Sequence, residues 1–397
     1  MSSKKIRIII FLLFTLSANS CILAEKEGQV EKIKIIEKDV SDSLDVTSHI
    51  AKIQVTKLQE TPGSYIGEPY KLIKTNKNYI VFDKLVAKRI VVFDLDGKFV
   101  KNVIELGKGK NEALQLNDCW LDSEGHLEIY DFSLKEIFVL DDKFEVAKII
   151  IGEKPNIYTS LMNLPHSKDF VGYKGYNSYN PPYMGEYYKV AILDSSVAIK
   201  KVELNYKKIY NGIMVIAPTK PFINYLDTIR FAENFNSNIY NVTPKGLTKR
   251  YELQYDKPLP TDFYDKVVQK NLSKFKAANV NFTEINSLYK GYNGYSGVWL
   301  ESKDFILFQS FDDRFRDFLT IYDKRHHIVI GSSRALYESV NYKTYLPTFL
   351  TTDIENNKFL GVWSGYILKS ILKDDSKILN IIKNDLGANY LVDVQFK

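Results

Sequence analysis

The sequence predicts an all-β chain, a six-bladed β-propeller with one helical insertion at about 260–280. Three observations carry that prediction. Tyr (27) and Phe (23) raise the aromatic share to 13%, and such rings fit the half-buried surface of a pleated sheet. An apolar triplet ending in Asp, followed by turn residues, recurs along the chain at about the period of propeller blades. Both ends carry strand-like segments able to close a ring.

In chain order, "MSSKKIRIII FLLFTLSANS" joins a basic start to an apolar run, Ile8 to Leu16, that is too short to span a bilayer. Residues 1–20 therefore read as an export signal. Cys21 follows small residues, as in a bacterial lipoprotein signal, where the Cys is acylated and anchors the chain to a membrane; Ala18 stands where Leu is usual. The alternative is cleavage near Ala24, releasing a periplasmic protein. Residues 21–48 are charged with scattered apolar positions and read as an N-terminal tether, and 49–397 as the propeller.

Within the propeller, "HIAKIQVTKLQ" (49–59) alternates apolar and polar residues and suits ring closure, as does the final "ANYLVDVQFK" (388–397). The repeat itself is clearest at 78–103, where β-rich runs flank Asp94-Leu95-Asp96-Gly97, residues that favour a tight hairpin. Copies follow at 127–151, 189–204, 228–255, 305–331 and 358–377, the last with its hairpin punctuation mostly lost. "PTDFYDKVVQKNLSKFKAANV" (260–280) interrupts the rhythm. Pro260 and Thr261 start it, and Phe263, Val267, Val268, Leu272 and Phe275 form an apolar stripe, so one helix capping a face is expected.

The run 58–122, through "SYIGEPYKLI", "YIVFD", "RIVVFDLDGKF" and "GKGKNE", resembles the opening blades of the six-bladed β-propeller family of exported Bacteroidota proteins. These are commonly lipoproteins and are distantly similar to NHL-type propellers. The closing "ANYLVDVQFK" resembles that family's last strand. The likeness extends over nearly all the mature chain and is strongest over 50–150. It implies an exported propeller and carries over no catalytic residue. Where NHL-like chains have a Gly-Pro-Gly loop, this one has "GKGKNEALQ", without the Pro.

Composition narrows the function classes. The net charge of +6 is spread among 54 basic and 48 acidic residues, which leaves no electrostatic footprint for nucleic acid. No phosphate-binding loop, dinucleotide fingerprint or nucleophile elbow is present, so no cofactor and no catalytic residue are assigned. The five His lack metal-ligand spacing. Asp83, Asp131 and Glu233 end equivalent strands; they serve either Ca²⁺ at the channel or, more simply, turn amides. Cys119 lies among apolar residues and reads as a small buried hydrophobe.

Two Tyr-rich stretches echo each other, "YKGYNSYN" (173–180) and "YKGYNGYS" (289–296). Tyr173, Tyr176, Tyr179 and Tyr183 from the first, with Tyr292, Tyr295 and Trp299 from the second, are the candidate ligand-binding residues. Flat amphipathic rings near amides suit a glycan or peptide; the competing reading is that they plug gaps between blades, the echo following from the repeated blades. The expected function is an exported, envelope-located module binding a glycan, peptide or envelope protein. An enzyme acting on a polysaccharide or a lactone through the central channel is the alternative, and a membrane-attached scaffold the third.

Overall fold

The computed structural model describes residues 29–152, 156–215, 220–276, 281–334, 336–337, 349–371, 376–382 and 385–397. Six antiparallel sheets follow one another around a ring. Blade 1 is Lys71–Lys74, Asn78–Asp83, Arg89–Asp94 and Phe99–Asn102; blade 2 is Asp118–Leu121, Leu127–Asp131, Glu136–Leu140 and Val146–Ile151. Blade 3 comprises Ser160–Asn163, Phe170–Tyr173, Val190–Leu193 and Ile199–Glu203; blade 4, Phe222–Tyr225, Thr228–Phe231, Asn238–Thr243 and Gly246–Tyr255. Blade 5 comprises Gly294–Glu301, Phe305–Phe311, Asp317–Asp323 and Ile328–Ser333; blade 6, Thr351–Asp353, Lys358–Ser364, Asn389–Phe396 and the N-terminal strand Ile50–Lys57.

The central strands are uninterrupted apolar runs because a blade is covered on both faces by its neighbours. Ile80 to Phe82 and Ile90 to Phe93 are at most 1% exposed. Trp120, Tyr130 and Ile137 of blade 2 share one core with Leu161, Phe170 and Ile192 of blade 3. Ring closure is the expected one: Ile50–Lys57 pairs antiparallel with Asn389–Phe396, with Val55 opposite Val392 and Lys57 opposite Tyr390.

The recurring Asp is turn machinery. Asp94 Oδ1 accepts from the amides of Asp96 and Lys98, Asp141 Oδ1 from those of Lys143 and Glu145, and Asp194 Oδ1 from those of Ser196 and Ala198. Each side chain mimics a backbone acceptor and fixes the hairpin. The left-handed seat of that turn is Gly97 in blade 1, and Phe144 and Val197 in the next two.

Three elements differ from the sequence reading. The insertion is helical, as expected, but irregular: a wide π-type turn, Tyr264–Val268, passes through Gln269–Asn271 into Leu272–Phe275, and Phe282–Ser287 adds a further helix. Phe263 and Val268 are both buried, and a five-residue spacing suits the wider turn better than an α-turn. In blade 6 the expected hairpin at 358–377 is replaced by helical turns, Gly365–Ile371 and Ser376–Ile382, before the third strand begins at Asn389. The described part of the expected tether lies on the ring: Glu31–Ile35 adds a parallel fifth strand to blade 4, and Val40–Ser41 one to blade 5. Ile33 and Ile35 are buried there. No described helix is long and apolar enough to cross a membrane. Cys21 and the export segment lie outside the described residues.

The strand order makes the two rims unequal. At the lower rim, where first strands end, the turns are short, none longer than 164–169. The upper rim, where first strands begin, carries the long connections, 174–189 and 256–293 among them.

Candidate functional site

The Tyr echo resolves at this upper rim. Tyr173 closes the second strand of blade 3, whereas Tyr289 precedes the first strand of blade 5, so the two copies do not occupy equivalent blade positions. What they share is a turn. Gly175 and Gly291 both take left-handed backbone, φ 59° and 90°, which glycine adopts without steric cost. Each turn then delivers rings to one core over the helical insertion, where Tyr176, Tyr289, Phe263, Val268, Phe275 and Phe311 pack together, with Tyr292 at its edge.

The seven candidate residues separate accordingly. Tyr176 and Tyr292 meet in the cap, one through Tyr264 (5.6 Å, stacked), the other through Phe263 (5.7 Å, edge-on). Tyr173 is buried in the core of blades 3 and 4, its hydroxyl donating to Glu233 at 3.0 Å. Tyr295 and Trp299 are buried in the core of blades 4 and 5. Tyr183 packs beside blade 3, and its hydroxyl donates to the Ile199 carbonyl at 3.3 Å. Tyr179, 69% exposed, stands alone. The structure does not gather them into one open face.

The carboxylates have local partners. Asp83 accepts from the amides of Gly67, Glu68 and Val86, and Asp131 from those of Leu114, Gln115, Ser133 and Leu134. Both pin upper-rim loops to their blades. Glu233 accepts from Lys189 at 2.8 Å as well as from Tyr173, and Lys189 lies 4.6 Å from the Tyr176 ring. His326 and His327 face Asp323 and Glu31. Asp122, Glu124 and His126 bring three ligating atoms within 4.8 Å on a lower turn. Asp122 there accepts from the amides of Glu124 and His126, as its counterparts in other turns do.

A pocket on the ring axis remains. It has a volume of about 190 Å³ and takes residues from the first strand of every blade, or the residue leading into it. Its walls are largely apolar: Leu72, Trp120, Met162, Phe222, Leu300 and Leu350. The charged side chains lining it are Lys71, Lys74 and Lys220. Two have acidic partners behind the wall. Lys71 donates to Asp118 Oδ1 at 2.5 Å and to the Cys119 carbonyl at 2.8 Å. Asp118 is itself buried and accepts from the Ser160 hydroxyl and from the Cys119 amide. Lys74 pairs with Asp353 at the lower end.

Lys220 differs from both. Its Nζ donates to the Leu350 carbonyl at 3.0 Å. Burial pulls its ordinary value of 10.5 down to about 7; the Lys71 charge adds to this and Asp118 opposes it. Lys84, over the Tyr70 ring at 5.0 Å, is also lowered, chiefly by burial. Cys119 lines the pocket too, but it is fully buried and its thiol is pushed up to about 12, so it behaves as the small hydrophobe expected.

Of the pocket's lining, the sequence singled out Trp299 and Cys119 but missed the lysines. Lys71, Asp118 and Lys220 have no local motif in common. Their shared signal is position, at or just before the first strand of a blade, and this shows only once the six first strands are aligned.

Over residues 30–388 the chain matches the domain of unknown function DUF4934. The chain belongs to the DUF4934 family. A Bacteroides fragilis protein assigned provisionally to the exported class shares this DUF4934 chain's fold: TM-score 0.73, 14% identity, covering 93% of this chain and all (100%) of that one. A DUF4221 member from Bacteroides vulgatus aligns over 88% of this chain and 97% of its own, at 10% identity and TM-score 0.48. Virginiamycin B lyase from Staphylococcus aureus aligns over 78% and 84%, at 14% identity and TM-score 0.38. The Bacteroides fragilis likeness bears on fold, not on ligand. No curated protein matches the chain.

Proposed function

We propose that this DUF4934 protein is an exported binding module whose ligand is a small anion seated in the axial pocket. One observation carries the reading: every charged side chain lining the pocket is a lysine, and Lys220 has a carbonyl, not a carboxylate, for its partner. A low-dielectric wall strengthens attraction to an incoming anion, and a mostly apolar pocket with a few fixed polar groups is the usual form of a small-molecule site. At roughly 30 Å³ per water, the volume equals about six waters, which suits a ligand of monosaccharide or amino-acid size. An acidic sugar or a peptide carboxylate meets both conditions, in keeping with the glycan or peptide expected from sequence.

Export rests on residues 1–20 and is supported by the provisional assignment of the Bacteroides fragilis relative. Acylation at Cys21 would orient the ring. Glu31 lies at the lower rim, where it meets His327 at 2.8 Å, so an anchored chain would turn its plain rim to the membrane and its loop-rich rim away. Palmitate labelling of wild type and Cys21→Ser tests the anchor; label retained in the variant removes it.

Titration calorimetry with D-glucuronate and D-glucose tests the ligand class. At pH 6, below the Lys220 value of about 7, glucuronate should bind at least tenfold more tightly than glucose, and Lys220→Met should narrow the difference. Equal affinity for the two sugars, or none for either, overturns the reading.

A further inference from the structure

We propose that Lys220 is an amine nucleophile that captures a small carboxylate-bearing aldehyde or ketone in the axial pocket as an imine. The proposal rests on the anion-binding reading and adds a bond to it.

Geometry comes first. Lys220 precedes the first strand of blade 4 and lines the same pocket as Lys71, with Phe222 and Leu350 beside it. Its Nζ donates one hydrogen bond, to the Leu350 carbonyl. A carbonyl satisfies an N–H without requiring a positive charge, so a neutral amine fits here and keeps its lone pair. The other two lining lysines pair with carboxylates, Lys71 with Asp118 and Lys74 with Asp353. The pocket thus places a cation for the ligand's carboxylate next to an amine for its carbonyl.

The charged surroundings of Lys220 act the same way. Burial disfavours its ammonium form, Lys71 repels it, and Asp118, already engaged by Lys71 and Ser160, compensates only in part. Desolvation in an apolar pocket beside another cation is a recognised means of activating lysine. In the reaction, the Nζ lone pair attacks the carbonyl carbon and the carbonyl electrons move to oxygen. The resulting carbinolamine loses that oxygen as water, which carries away both amine protons, and a C=N bond remains. No oxidant or reductant is needed. Lys71 is a positioning residue in this scheme.

The test uses the full mature chain with glyoxylate as probe and cyanoborohydride to trap the imine, from pH 6 to 9. Peptide mass spectrometry then ranks the lysines by rate of adduct formation. Lys220 should react at least tenfold faster than exposed Lys303, with a midpoint near pH 7. Lys71→Gln should move that midpoint upward, which a purely structural role for Lys71 would not do. Lys220→Arg should abolish the adduct, and calorimetry with oxalate, which cannot form an imine, reads the anion site of the wild-type chain separately. If wild-type Lys220 reacts no faster than Lys303, the proposal fails. Oxalate binding without a Lys220 adduct sinks the nucleophile and leaves the anion site standing. Loss of both oxalate binding and adduct overturns both, and an adduct without oxalate binding defeats the proposal as built on that site.

Discussion

Tyr264 stacks on Tyr176, ring centroids 5.6 Å apart and planes inclined by 30°. Its chain neighbour Phe263 turns the other way, onto Tyr289 at 4.9 Å. Two adjacent residues of the helical insertion thereby clamp both copies of the Tyr-rich motif and join the loops of blades 3 and 5 over the upper rim. Removing a buried aromatic of this kind costs about 3–5 kcal/mol where the cavity cannot collapse. Phe263→Ala should lower the unfolding midpoint and raise hydrogen exchange in 288–293 and 174–178 together. Faster exchange in one segment alone would show that the cap does not couple the two loops.

Gly97 ties a blade-1 turn to ring closure. It has φ 80°, and a Cβ there would lie 2.3 Å from the carbonyl oxygen of Lys57, the last residue of the closing strand. The Gln59 amide also donates to the Gly97 carbonyl at 2.8 Å. Gly97→Ala therefore meets both a left-handed backbone penalty of about 1–2 kcal/mol and a backbone clash. Chemical denaturation should show a loss of more than 2 kcal/mol. Gly125→Ala, at φ 89° with nothing near its Cβ, should lose only the backbone part and serves as the comparison.

Some of this was written openly in the sequence. The Asp94-Leu-Asp-Gly97 turn follows from short-range chemistry, and so do the closing strands, whose alternation marks a sheet position. The belt at 31–35 was not legible, because "EKIKI" becomes a strand only against Gly246–Tyr255, more than two hundred residues away. Nor was the pocket, since Lys71 and Lys220 are ordinary lysines until the ring sets them on one axis. The Tyr echo was visible but its meaning was not: turn geometry at Gly175 and Gly291 made the repeat, not a repeated blade position.

Glu128 gives stability a pH dependence. It is 4% exposed between blades 2 and 3, and burial raises it from 4.5 to about 7 although the Trp120 indole N–H donates to it at 2.7 Å. The folded value lies above the unfolded one, so between these pH values the unfolded chain binds fewer protons. Stability attributable to this group therefore falls as pH rises from about 4.5 to 7, by at most ~3 kcal/mol. Glu128→Gln keeps an acceptor for Trp120 and removes the titration. Urea unfolding from pH 4 to 8 should show a flatter profile for the variant than for wild type; parallel profiles would refute the assignment.

Arg230 and Glu301, both 0% exposed, form an ion pair between blades 4 and 5, Nε to Oε2 at 2.8 Å. Lys324 and the Tyr251 hydroxyl reach the other oxygen at 2.8 and 2.7 Å, and the Arg230 guanidinium lies 4.4 Å from the Tyr225 ring. Burial opposes the Glu301 charge, but Arg230 and Lys324 outweigh it and hold the carboxyl well below its ordinary range. With the folded value depressed, this contribution is complete above the ordinary carboxylate range and is lost only as pH falls toward the folded value. Breaking such a pair from one side leaves a buried charge, at a cost of about 3–5 kcal/mol, whereas replacing both partners with apolar groups is far less damaging. Arg230→Met should therefore destabilise the ring more than Arg230→Met combined with Glu301→Leu. Lys324 loses its carboxylate in the double variant but keeps its hydrogen bonds to the Tyr225 hydroxyl and the Ser302 carbonyl. If the double variant unfolds at lower denaturant than Arg230→Met alone, the pair contributes net stability rather than fixing how the two blades meet.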